Sequence, residues 1–93
     1  MKRQFKIRVS RIETIPATDG DFAQVTFRIH NGSGSFGFPV LVKKNEYDEA
    51  DITKVARSIL HENLAELTSQ TEKWKLTEDE LAQLSSWKFY QGA

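Results

Sequence analysis

Two histidines, His30 and His61, are the candidates in this sequence for acid–base catalysis or metal binding at neutral pH. Neither has a partner at a suitable spacing, because the residue four positions after His61 is Ala65, where a helical zinc pair needs a second histidine. The chain has no cysteine and no glycine-rich loop that opens a helix. We therefore expect no catalytic residues, no metal and no cofactor, and a chain that is not an enzyme.

A basic surface is the first of two candidate binding sites. Lys6 and Arg8 alternate with apolar residues, as do Arg28 and His30, so these side chains are expected on the face of a sheet that points away from the core. Such a surface can bind a nucleic-acid backbone or an acidic protein. The candidate residues are Lys6, Arg8, Arg28, His30 and Lys43. The alternative is an ordinary solvated sheet face, and the lack of aromatic residues among them argues against base stacking.

The second candidate site is a group of aromatic residues near the end of the sequence, Trp87, Phe89 and Tyr90. Large aromatic side chains are rarely left in water. They either pack on the core of their own chain or anchor a partner, since Trp and Tyr are enriched among the residues that dominate protein interfaces. Both interpretations remain open on sequence alone.

Charge is divided unevenly along the chain. The 93 residues contain 13 basic and 13 acidic side chains, so the formal net charge is zero. Residues 1–44 hold eight basic and three acidic residues, a net charge of +5, whereas residues 45–93 hold five basic and ten acidic residues, a net charge of −5. This division favours charge pairing with a partner or a second copy, while overall neutrality argues against a dedicated DNA-binding protein.

Three strands are predicted in the basic half. Apolar residues recur at every second position over residues 4–10, 22–30 and 35–42, which is the period of a half-buried strand. Between the second and third strands, residues 31–34 are Asn-Gly-Ser-Gly and predict a hairpin turn. Pro39 has no backbone N–H, so the third strand should be an edge strand or carry a bulge. Residues 13–21 are expected to form a surface loop. The residues expected to face the core are Phe5, Ile7, Val9, Val25, Phe27, Ile29, Phe36, Phe38, Val40 and Val42.

Two helices are predicted in the acidic half. From Ile52 to Leu67 the apolar residues follow the 3.6-residue period of an amphipathic helix, and Asp48 is positioned to cap its start. Residues 77–80, Thr-Glu-Asp-Glu, match the capping box that begins a helix. We expect this second, short helix to cover an end or edge of the core.

These elements predict a single α+β domain over residues 1–93. A three-stranded antiparallel sheet (residues 1–44) should pack one face against the long helix of the acidic part (residues 45–93). No apolar run approaches 18 residues, so we expect a soluble, cytoplasmic protein without a membrane partner. The predicted function is that of a small non-enzymatic binding module that acts by protein–protein interaction or by self-association, for example as a homodimer. The alternative is nucleic-acid binding through the basic sheet face.

Overall fold

A computed structural model describes the backbone of residues 4–91 and the side chains of residues 4–85. It confirms the predicted α+β architecture of a three-stranded antiparallel sheet, a long helix packed on one face and a short C-terminal helix. The strands are β1 (Lys6–Ile15), β2 (Phe22–His30) and β3 (Ser35–Lys43), and the helices are α1 (Ile52–Thr71) and α2 (Glu78–Gln91). Short 3-10 turns span Lys44–Glu46, Glu49–Asp51 and Glu72–Trp74.

The strand order is β1-β2-β3, so β2 is central and pairs with both neighbours. β3 is therefore an edge strand, as the proline at position 39 predicted. The predicted hairpin joins β2 to β3. Within it, the Asn31 backbone N–H donates to the Gly34 carbonyl over 3.1 Å, and Gly32 has a positive φ of 91°.

β1 is longer than predicted, because a bulge interrupts the alternation of apolar residues from which the strand was predicted. The predicted strand covered residues 4–10, whereas β1 runs from Lys6 to Ile15. Pairing with β2 is regular up to Val9 and resumes at Arg11, so Ser10 is an extra residue without a partner on β2. An extra residue reverses which positions face the core. Ile12 therefore lies on the same face as Val9, opposite the buried Val25.

The core lies between α1 and the β2–β3 half of the sheet. α1 contacts β3 most extensively and β2 to a lesser extent. The buried cluster consists of Ala23, Val25, Phe27, Val40, Val42, Ile52, Ala56 and Leu60, with Val9, Phe38, Val55, Ile59 and Leu64 packed at its margin. Three residues predicted to be core, Phe5, Ile7 and Phe36, are instead half or more exposed. The prediction placed Ile7 and Phe36 on the correct face, as their pairing with the buried Ile29 shows, but one helix does not cover the whole sheet.

The two predicted helix starts differ in their hydrogen bonding. Asp48 precedes the 3-10 turn that leads into α1, but its carboxylate makes no capping hydrogen bond. The capping box at α2 is formed as predicted: the Thr77 N–H donates to the Glu80 carboxylate (3.0 Å), and the Glu80 N–H donates to the Thr77 hydroxyl (3.1 Å).

The described part of α2, positions 78–85, does not cover the core, which contradicts the expected position of the second helix. Every side chain described in α2, from position 78 to position 85, is exposed. The molecule measures 60 × 25 × 23 Å, and its radius of gyration is 19.2 Å. A compact domain of this length would have a radius of gyration of about 12 Å. The C-terminal segment 72–91, called the arm below, therefore projects from the sheet.

Candidate functional site

The outer face of the sheet gathers four of the five predicted basic residues. Lys6 is the cross-strand partner of His30, and Arg8 is the partner of Arg28 in the adjacent non-bulged part of the ladder. The side chains of Arg28 and His30 point away from the core, because Ile29, which lies between them in the strand, is buried against it. We call Lys6, Arg8, Arg28 and His30 the basic cluster.

Arg28 lies beside a glycine of the neighbouring strand. Gly37 is its partner on β3, and a Cβ at position 37 would lie 3.9 Å from the Arg28 guanidinium carbon. The guanidinium therefore lies across β3, over the one residue of that strand pair without a side chain. Arg28 is half-buried as a result, while Lys6 and Arg8 are exposed.

The basic cluster is not neutralised by nearby carboxylates. Within the part of the chain whose side chains are described, the ion pairs are Arg11 with Glu13 at 3.2 Å and Lys43 with Glu46 at 3.8 Å. Neither pair includes a member of the cluster. Two directly opposed arginines without a counter-ion form a surface that attracts anions.

Lys43 does not belong to the basic cluster. It lies opposite Phe22 at the other end of the sheet, eight residues along β3 from the partner of His30. At about 3.4 Å per residue this separation is roughly 27 Å. Lys43 is therefore a separate charge, and it is paired with Glu46.

The two histidines do not share a site. His30 lies on the outer face of the sheet, and His61 lies on α1, which packs against the inner face. Among the residues with described side chains, no group of three or more His, Cys, Asp or Glu is arranged to hold a metal ion.

The inner face of β1 carries apolar side chains that α1 leaves uncovered. Ile7 and Ile12 are each more than half exposed, although they lie on the core side of the sheet, and Phe5, directly before β1, is also more than half exposed. We call these three residues the open face. Strand alternation predicted core positions for Phe5 and Ile7 but not for Ile12. The spacing of three between Val9 and Ile12, which breaks the alternation, was the available signal for the bulge.

A groove runs between β1 and α1, beside the open face. Its volume is about 330 Å³, and its apolar lining consists of Ile7, Val9, Phe27, Leu60 and Leu64. Arg57 and His61 on α1 also line it, and Arg8 borders it from β1, where its side chain belongs to the outer face. The groove therefore combines an apolar floor with basic side chains, a composition suited to a partner that is apolar and acidic.

The arm carries the second set of exposed apolar side chains, which are Trp74, Leu76, Leu81 and Leu84. The predicted docking residues Trp87, Phe89 and Tyr90 belong to the same segment, but their side chains lie outside the described residues. Helices of the described chain offer no stretch that is both long and apolar enough to cross a membrane.

Comparisons of this chain with protein-family models, curated proteins and solved structures find no match.

Proposed function

We propose that this chain is a small non-enzymatic binding module that acts by protein–protein interaction, either with another protein or with a second copy of itself. The observation that carries the proposal is the open face. Monomeric proteins rarely expose contiguous apolar surface of this kind, and where they do it commonly marks an interface.

The position of the open face strengthens the proposal. Ile7 and Ile12 lie on an edge strand and Phe5 directly precedes it, so an incoming chain can contact their side chains and the free backbone groups of β1 together. The bulge at Ser10 interrupts that edge and limits extension of the sheet. A partner that packs on the side chains therefore fits better than one that adds a long strand.

A matched set of variants tests the proposal. Ile7 is 52% exposed and Ile12 is 55% exposed on the inner face, whereas Leu41 is 51% exposed on the outer face. We expect the double variant Ile7→Gln/Ile12→Gln to lose both self-association and retention of any co-purifying protein, while Leu41→Gln retains them. Circular dichroism and thermal melting verify that each variant is folded.

Two results would contradict the proposal. The first is a wild-type chain that is monomeric and retains no other protein from its native extract. The second is an inner-face double variant that behaves as the wild type does in both measurements. Either result would leave the open face without a binding role.

A second candidate function, nucleic-acid binding, is favoured by one observation, the opposed arginines of the unneutralised basic cluster. If Lys6, Arg8 and Arg28 each contact a phosphate, the logarithm of the binding constant for duplex DNA should fall with the logarithm of salt concentration with a slope of about −3. Lys6→Glu/Arg8→Glu should abolish binding, and Lys43→Glu should alter it little. Absence of binding to single- and double-stranded oligonucleotides at low salt would dismiss this candidate.

A further inference from the structure

The chain exposes far more surface than a monomer of its mass requires. Its accessible surface is 8041 Å² at 10.7 kDa. A compact monomer of this mass exposes about 5,500 Å², so the excess is roughly 2,500 Å². A stable interface needs only about 800 Å² from each partner. The excess is therefore large enough for the interface of a dimer.

The exposed surface includes two apolar surfaces, one at a groove and one on the arm. One is concave, the groove between β1 and α1 together with the open face. The other is convex, the arm, where Leu81 and Leu84 lie one turn apart on α2 and Trp74 is 70% exposed. An amphipathic helix bound in an apolar groove is a common mode of recognition.

The charges of these two surfaces are opposite. Arg57 and His61 of α1 line the groove. The first turn of α2 contains Glu78, Asp79 and Glu80, and its described part, up to position 85, contains no basic residue. Docking α2 beside the groove would bring this acidic turn close to unpaired basic side chains, which favours that pairing over other apolar contacts.

We propose that two copies of this chain form a symmetric dimer in which the arm of each copy binds the groove and open face of the other. The proposal rests on the proposed binding function and identifies the partner as a second copy. Because the dimer is twofold symmetric, the contact between arm and groove occurs twice.

The dimensions are sufficient for a stable dimer. A helix of 14 residues, the length of α2, is about 21 Å long and 10 Å wide. If half of its circumference docks, two arms and their two grooves together lose on the order of 1,300 Å² of surface, which lies in the range of specific interfaces. The same contacts cover the open face, the groove and the leucines of α2.

The absence of cysteine from the sequence makes disulfide trapping a direct test. Ser85→Cys places a thiol next to Leu84 on the arm, and His61→Cys places one in the groove. Each single variant is prepared with a different mass tag, the two are mixed, and the mixture is oxidised. We expect a disulfide between the two tagged chains, and light scattering of the wild type should give twice the chain mass at low salt and at about 0.5 M salt.

Control variants place the thiols on the opposite sides of the same helices. Gln83→Cys on α2 and Glu62→Cys on α1 are exposed and point about half a turn away from the apolar stripes. Pairs that contain either control should crosslink at least tenfold less. Leu81→Gln/Leu84→Gln should convert the dimer to a monomer, and the sheet should remain folded.

Three outcomes would overturn the dimer. The first is a monomeric wild type. The second is a Ser85→Cys/His61→Cys double variant that forms its disulfide within one chain, because the arm would then fold back on its own groove. The third is a Leu81→Gln/Leu84→Gln variant that remains dimeric. The proposed function can be distinguished from the dimer by a separate result. A monomer that retains a different protein, and loses it in Ile7→Gln/Ile12→Gln, would overturn the dimer and leave the binding module intact.

Discussion

Ser10 donates its hydroxyl hydrogen to the backbone carbonyl of Thr26 over 3.1 Å, at the position where β1 has one residue more than β2. A bulged residue leaves part of the ladder unpaired, and here the bulged side chain itself satisfies an acceptor on the neighbouring strand. The bulge also determines the inner face, since it places both Val9 and Ile12 on the core side.

Changes at Ser10 should reveal both roles of the bulge. Ser10→Ala removes one hydrogen bond, so we expect the free energy of unfolding in urea to fall by about 0.5–1.5 kcal/mol. Deletion of Ser10 should preserve the fold, because Val9 and Ile12 are then two positions apart and keep Phe27 and Val25 as their partners in a regular ladder. Ser35→Ala, on the exposed end of β3, is the control and should change stability little. Unfolding of the deletion variant would contradict the assignment of Ser10 as the extra residue of β1.

The bulge also explains how far the sheet could be predicted from sequence. Strict alternation located β2 and β3 almost to the residue, because both strands alternate without interruption. For β1 the same rule ended the strand at Ser10. The spacing of three from Val9 to Ile12 breaks the alternation of a regular strand, and only pairing with β2 shows that one extra residue accommodates it.

Two glycines in and beside β3 should respond to alanine in opposite directions. A Cβ at position 37 would make ordinary contacts, 3.5 Å from a Thr26 methyl carbon, and Gly37 does not have a positive φ. Gly37→Ala should therefore raise the free energy of unfolding by about 0.4–1 kcal/mol, by restricting the unfolded chain. Gly32→Ala should lower it by about 1–2 kcal/mol, although space is free there, because its φ is 91°. Urea denaturation measures both. A stabilised Gly32→Ala would contradict the turn conformation.

Leu60 and Leu41 provide a comparison of one substitution in two environments. Leu60 is buried between α1 and the sheet, whereas Leu41 is exposed on the outer face. Leu60→Ala should cost about 2–5 kcal/mol, since it leaves a cavity in the small core. Leu41→Ala should change stability by about 0.5 kcal/mol or less. If both substitutions had the same effect in urea denaturation, α1 would not be packed on the sheet as described.

The candidate site was only partly accessible to sequence reasoning. Alternation correctly placed Lys6, Arg8, Arg28 and His30 on one face, because a strand's period determines which side chains share a face. It could not separate Lys43 from them, since distance along the sheet depends on register. Nor could it find the open face. Which strands a single helix covers depends on where the helix crosses the sheet, and no local pattern specifies that position.

The capping box of α2 should make the arm sensitive to acid. The backbone N–H and the hydroxyl of Thr77 both stabilise the ionised carboxylate of Glu80, and they hold its pKa below the ordinary value for glutamate. A carboxylate with a lowered pKa in the folded helix contributes its full stability above the ordinary glutamate pKa. That contribution is lost as the pH falls through the lowered pKa. Thr77→Val should raise the Glu80 pKa part of the way back, because the hydroxyl is lost and the backbone N–H remains.

Carbon-13 NMR titration of the Glu80 carboxyl measures this change, and circular dichroism over the same pH range follows the helix content. Thr68→Val, on α1, is the control and should leave the Glu80 titration unchanged. In the wild type the helix signal of α2 should weaken only after Glu80 is protonated, whereas in Thr77→Val it should weaken at higher pH. An unchanged Glu80 titration in Thr77→Val would mean that the Thr77 hydroxyl does not stabilise the carboxylate.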